Sequence, residues 1–105
     1  MKLLGVGAAV IDLSVIVPRF PIPDEKLKAQ KTMVAAGGNC LNSCICLKRL
    51  GAESVELVTK IGDDSMAASL LSECGSEGIE TPHVVKAPGA STPVSIILVD
   101  EKAQT

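Results

Sequence analysis

The chain has no tryptophan and no tyrosine, and Phe20 is the single aromatic residue among its 105. Its core must therefore be aliphatic, and it lacks the aromatic platforms on which single-stranded nucleic acid stacks. Histidine is almost as scarce. His83 stands alone, so no Ser-His-Asp or Cys-His nucleophile set can be assembled around it. The cysteines Cys40, Cys44, Cys46 and Cys74 contain no CxxC pair, which sets a zinc site aside. Three of them fall on one predicted helix and no secretion signal stands out, so the expectation is reduced, mostly buried thiols in a cytoplasmic protein rather than disulfides. The opening Met1-Lys2 and its apolar run imitate a short signal peptide. That run is rich in Val and Gly, however, and Asp12 breaks it before Val15, Ile16 and Val17 continue in β fashion. No stretch approaches the ~18 apolar residues of a membrane span. A net charge of −2 with scattered lysines offers no surface to nucleic acid or an acidic membrane.

What is present suits one domain or part of one. Hydrophobic residues make up 47% and charged residues 21%, ordinary proportions for a globular chain. A chain of this length buries somewhat over ~60% of its unfolded surface, enough for a core with little margin. Leu3 to Ile11 reads as a strand buried on both faces, because its apolar residues run without alternation. Leu13 to Val17 follows as a shorter strand, then a proline-punctuated loop from Pro18 to Glu25. Leu27 to Val34 alternates loosely, as a solvent-facing strand does. A helix is predicted from Asn39 to Leu50, with Leu41, Cys44, Ile45 and Leu47 inward, Lys48 and Arg49 at its negative end and Gly51 as the stop. Val55 to Ile61 is a buried strand, Met66 to Glu77 a second helix ended by Gly78, His83 to Lys86 a short strand, and Thr92 to Val99 the last strand. The turn at Asp100-Glu101-Lys102 leads to no partner strand, which suggests a chain cut inside a domain at Thr105. Alternating strands and helices indicate an α/β parallel sheet. The strands at about 13–17, 27–34 and 92–99 do not fit that alternation and suit a separate small sheet over one edge.

The densest signal is Ala36-Gly37-Gly38-Asn39-Cys40-Leu41-Asn42-Ser43-Cys44. A double glycine lets backbone approach a ligand, and Asn39 and Asn42 put amide donors and acceptors on the first helical turn. This suits a small polyhydroxylated ligand. The competing explanation is a tight turn with asparagine as N-cap, which accounts for one asparagine and not two. Asp12, at the end of an apolar strand, stands where parallel sheets commonly place ligand groups. It could accept hydrogen bonds from two neighbouring sugar hydroxyls, or serve only as a cap or turn carboxylate. Gly5-Val6-Gly7 after an opening strand invites a dinucleotide reading, but the third glycine is missing and strand continues where the helix should begin. Gly62-Asp63-Asp64-Ser65 reads as a helix start.

In this order the residues resemble the N-terminal part of the PfkB/ribokinase family of carbohydrate kinases. The resemblance rests on Gly7-x4-Asp12, Phe20-Pro21-x-Pro23-x-Glu25, Ala36-Gly37-Gly38-Asn39-x-x-Asn42, Arg49-Leu50-Gly51-Ala52, Lys60-Ile61-Gly62-Asp63-Asp64 and Ser91-Thr92-Pro93. It implies a doubly wound α/β fold with a small β-sheet lid over the sugar. It also implies sugar binding by Asp12, Gly38, Asn39 and Asn42, with Gly37 shaping the turn and Ser95 reaching in from a lid strand. ATP and Mg2+ would serve the complete enzyme. No residue of this chain matches the Gly-rich GAGD-type segment whose Asp is the family's general base, and Gly62-Asp63 is not that motif. The chain alone is thus expected to bind a small-molecule sugar without catalysis, with no catalytic residue and no metal or cofactor ligand of its own. The alternative is a non-catalytic protein that pairs as a homodimer through its lid strands, since open edges recruit other strands. A nucleoside-kinase member is a third reading. Three departures stand out: Cys44 replaces a Ser, Thr or Ala, one extra residue lies between Gly51 and Gly62, and Val10 stands where ribokinases carry a ribose-contacting Asn. Val10 with Asn39 and Asn42-Ser43-Cys44 looks closer to ketohexokinase-like members.

Overall fold

Two parallel strands with a helix between them form the floor of the structure, a computed structural model that describes residues 1–102. The chain end at Thr105 lies outside the described residues. The elements run β1 (Lys2–Val6), β2 (Val10–Val17), β3 (Lys31–Gly37), α1 (Asn39–Arg49), β4 (Ser54–Val58), β5 (Lys60–Ile61), α2 (Ser65–Ser76), β6 (Val85–Lys86) and β7 (Val94–Asp100). β1 pairs with β4 in parallel, and α1, the helix of that crossover, packs on both. A parallel bridge from Glu56 to Glu80 extends this layer, and β5 and β6 make a second short parallel pair after α2.

The other three strands form their own sheet in the order β3-β2-β7. β2 is antiparallel to β3 and parallel to β7. β2 and β3 lie in the β1-to-α1 connection and β7 joins them from after β6, so the strands that broke the strand-helix alternation all belong to this sheet. β7 is paired along one side with β2, so the last strand is an edge strand rather than an unpaired one.

The core is aliphatic. Leu41, Val55, Leu57 and Leu70 are fully buried, Ile11, Ala67 and Cys74 nearly so, and Phe20 lies exposed at the surface. Each buried Leu or Val contributes about 1.5–3 kcal/mol relative to exposure. Both helices end by the same device. Gly51 (φ 110°) and Gly78 (φ 74°) adopt the left-handed conformation. The next residues, Ala52 and Ile79, donate back to Leu47 and Cys74 at 3.2 and 2.9 Å, closing the final carbonyls of each helix.

Several boundaries differ from the sequence reading. Leu3 to Ile11 is two strands in two sheets, because the chain turns at Gly7-Ala8-Ala9. An unbroken apolar run does not show a change of sheet. β1 is covered by α1 on one face only, and Leu4 and Val6 lie exposed on the other. Residues 27–30 are not strand: β2 ends at Val17, so little remains for them to pair with, and Gln30 makes one bond to the Ile16 carbonyl at 2.8 Å. β3 instead starts at Lys31 and extends to Gly37. The strand expected over 55–61 breaks at Thr59 into β4 and β5, which join different partners. Leu47 is exposed, since α1 buries only its Leu41–Cys44 face.

Candidate sugar site

Asp12 lies inside β2, not at the end of an apolar strand of the parallel sheet as the sequence suggested. The turn at 7–9 carries it into the small sheet. Its register neighbours are Ala35 on β3 and Ser95 on β7, so Asp12 and Ser95 stand in one row on one face. Gly37 occupies that face two residues beyond Ala35. A Cβ at position 37 would fall 2.2 Å from Asp12 Oδ2, so the carboxylate fills space that only glycine leaves open. Asp12 makes no hydrogen bond or ion pair with another described residue, which removes the cap reading for it.

Gly38 follows with φ 97°, a conformation that favours glycine. A Cβ there would meet the Ala8 carbonyl oxygen at 2.8 Å. The Gly-Gly pair is therefore split between two jobs: Gly37 ends β3 and Gly38 is the N-cap of α1. This corrects the capping alternative, because Asn39 is the first helical residue and no side chain caps the helix. The Leu41 N–H donates to the Ala8 carbonyl at 3.4 Å, bracing the first turn on the sheet switch. Asn39 and Asn42, three apart and on neighbouring faces of the helix, are exposed and make no side-chain hydrogen bond among the described residues.

The sequence reading missed what holds these groups in place. Asp64 caps α2 through the Ala67 N–H (3.1 Å to Oδ1), as expected of a helix start, but it also anchors the root of β7. Its Oδ1 accepts from the Thr92 hydroxyl at 2.7 Å and its Oδ2 from the Thr92 N–H at 2.9 Å. The Thr92 oxygen in turn accepts from the Gly62 N–H at 3.1 Å. These bonds hold the Asp64 carboxyl below the usual carboxylate range, the Thr92 hydroxyl contributing most. In the sequence Gly62-Asp63-Asp64 and Ser91-Thr92-Pro93 stand out as separate motifs, with nothing to show that they meet. On the other edge the Ala36 N–H donates to Glu73 Oε2 of α2 at 2.6 Å, which occupies one outward-pointing donor of β3. Under α1, Gly5 leaves room for thiols: a Cβ there would fall 2.3 Å from Cys44 Sγ and 3.2 Å from Cys40 Sγ. Burial, aided by Cys40, pushes the Cys44 thiol up to about 11, so it stays neutral and behaves as core.

Comparison with known proteins places this arrangement. A model of the pfkB family of carbohydrate kinases matches residues 2–105. The chain belongs to that family. It is 30% identical over 100 residues to the deoxyribokinase of Salmonella typhi, covering 95% of this chain and 32% of that protein. To the ribokinase of Haemophilus influenzae it is 31% identical over 98 residues, covering 93% and 32%. The solved ribokinase of Thermotoga maritima superimposes with a TM-score of 0.86 at 27% identity, over 98% of this chain and 34% of that one. The pfkB-family chain thus has a ribokinase-like α/β fold and spans about a third of the length of the curated relatives it matches.

Proposed function

We propose that this pfkB-family chain forms the sugar-holding part and lid of an ATP-dependent carbohydrate kinase, which transfers the ATP γ-phosphoryl group to a sugar hydroxyl in the cytoplasm. The observation that carries this reading is the Asp12 carboxylate, held over the bare Gly37 and beside Ser95 at the base of the small sheet. A carboxylate with no donor among the described residues, two residues along the face from the Gly37-Gly38 turn into α1, can accept from ligand hydroxyls. Asn39 and Asn42 add amides on the adjoining helical turn, and the three-stranded sheet supplies the lid. The names of the relatives, a deoxyribokinase and a ribokinase, make a pentose the first substrate class to try.

The charge around Asp12 supports an uncharged ligand. On its face of the sheet the basic residue is Lys31, two rows away and opposite Ile16. A phosphorylated sugar would bring a second anion to the carboxylate without a nearby cation. Phosphoryl transfer itself needs charge stabilisation and positioning of the moving group. The α2 N-terminus, where a phosphate could sit, is filled by Asp64, and no set of three metal-ligating side chains converges among the described residues. ATP and Mg2+ would serve the complete enzyme. The contribution of these residues is to bind the sugar, orient it and keep water from the transferring group.

Titration calorimetry on the chain and its Asp12→Ala variant tests this. Charge-assisted hydrogen bonds contribute about 1.5–3 kcal/mol each, so the variant is expected to lose at least tenfold in sugar affinity. Unchanged affinity would return Asp12 to a structural role. Purified 1–105 is expected to show no sugar-dependent ATP consumption.

A second reading has its own observation. On the face away from Asp12, Val34 and Ile96 lie exposed in one row on either side of Leu13, and Leu98 lies exposed in the next row. Such a face suits pairing with a second copy through the lid strands. Concentration-dependent dimerisation in sedimentation, abolished by Ile96→Lys, would support it, and a monomer at all concentrations would end it.

A further inference from the structure

Gly5 in β1 and Gly7 just past its end leave two gaps on the side of the floor that α1 covers. Cys40 and Cys44, one helical turn apart on α1, fill them. A Cβ at position 7 would fall 2.9 Å from Cys40 Cβ, and one at position 5 would fall 2.3 Å from Cys44 Sγ and 3.2 Å from Cys40 Sγ. Both sulfurs therefore gather around one point over Gly5, no farther apart than the sum of those last two distances. Both are free thiols. Cys44 is 2% exposed and its thiol meets that of Cys40. Cys40 is only half-buried, which leaves a way in from solvent.

The pair is badly placed for a disulfide. That bond needs Cβ atoms about 3.5–4.5 Å apart, and residues four apart on a helix hold theirs at about 5–6 Å. A metal ion between the sulfurs asks for no such deformation. Two metal–thiolate bonds of about 2.3 Å each, laid end to end, span a gap that fits within the limit set over Gly5.

We infer that Cys40 and Cys44 form a two-coordinate site for a soft monovalent cation of the Cu(I) class, clasped between α1 and Gly5. Thiolates select such ions. No third metal-ligating side chain joins the pair among the described residues, so the four ligands that structural zinc takes are not supplied. On binding, each thiol gives its proton to solvent and each sulfur donates one electron pair to the metal, whose oxidation state is unchanged. Two thiolates around one monovalent ion leave a single negative charge. The helix itself offsets it: Cys40 is the second residue of α1, whose first turn holds no acidic residue. That end of a helix carries about half a positive charge and favours thiolate.

Anaerobic titration with Cu(I) against a competing chelator, bathocuproine disulfonate, reads the site directly. The chain used carries Cys46→Ser, because Cys46 is exposed and would take up metal by itself. One Cu(I) per chain is expected, with a thiolate-to-copper band in the ultraviolet. Cys40→Ser, a change at a half-buried position, should weaken binding about 10²- to 10⁴-fold, the gain that a second linked contact brings. Cys44→Ala should do the same, and Cys74→Ala should leave the affinity unchanged. A circular dichroism spectrum of Cys40→Ser that matches the parent's separates a lost ligand from a lost fold. No uptake by the Cys46→Ser chain, or equal affinity after Cys40→Ser, would overturn the site. Binding that survives Cys44→Ala but not Cys74→Ala would overturn the assignment to this pair.

Discussion

The carboxylate of Asp12 lies where a side chain at position 37 would be, diagonally across the β2-β3 ladder. The two residues constrain each other. An alanine at 37 would place its Cβ 2.2 Å from Oδ2, and the carboxylate would have to swing away. Gly37→Ala is expected to weaken sugar binding at least tenfold, as much as losing the carboxylate itself. In the Asp12→Ala background the same substitution should cost little stability, because its obstacle is gone. A double-mutant cycle read by urea unfolding isolates the coupling, and additivity there would sink the argument.

Thr92 offers a test of the β7 anchor that does not depend on any ligand. It is 2% exposed and both donates and accepts. Thr92→Val keeps the volume but leaves the Gly62 N–H without its acceptor and removes the shorter of the two bonds to Asp64 Oδ1, which keeps only the Ala67 N–H. The expected loss is about 1–3 kcal/mol, seen as a lower urea midpoint with unchanged slope. Thr92→Ser should recover most of it.

Acid should reach the same anchor. The folded Asp64 carboxyl is depressed below its ordinary 3.8, first by the Thr92 hydroxyl and then by the Thr92 N–H. A depressed carboxylate stabilises the fold fully above its unfolded value, and that contribution fades as pH falls through the folded one. Stability should therefore decline as pH drops below about 3.8, more steeply in the parent than in Asp64→Asn. The loop from Pro18 to Glu25 should outlast this. Glu25 is lowered to about 2 by its bonds from the Arg19 guanidinium and then from the Ile22 N–H. The Glu25 carboxyl resonance, followed by NMR from pH 5 to 2, should hold its ionised position until the lower end.

Gly5 makes a prediction about the floor. Adding a methyl group there puts it 2.3 Å from Cys44 Sγ under α1. Overpacking of this kind costs about 1–3 kcal/mol. Gly5→Ala should lower the thermal midpoint, and Cys44→Ala should relieve the loss. A fully tolerated Gly5→Ala in the parent would show that α1 can lift off β1 freely.

Local signals in the sequence served well where one element decides its own fate. Gly51 and Gly78 ended their helices because a left-handed residue is needed there, and only glycine adopts it without penalty. Sheet membership was less legible. Nothing in Leu3 to Ile11 marks the turn at Gly7, since Ala9 and Ile11 are as apolar on the far side of it as Leu3 is before it. The same holds for the site. Gly37, Gly38, Asn39 and Asn42 fall within one short segment and could be read as a group. The link from Asp64 to Thr92 spans 28 residues and exists only once α2 and β7 meet.

All three strands of the small sheet are rooted at the same end. Val10 leaves the turn at 7–9, Gly37 runs straight into Gly38 and α1, and Val94 follows the Thr92 anchor. At the opposite end stand Val17, Lys31 and Asp100. Moving as one body, such a sheet would pivot beside the carboxylate. At roughly 3.3 Å per residue, a tilt of about 10° about that root carries the far ends about 4 Å and Asp12 only about 1 Å. The residue that would grip a ligand sits near the pivot, and the part that would cover it travels farthest.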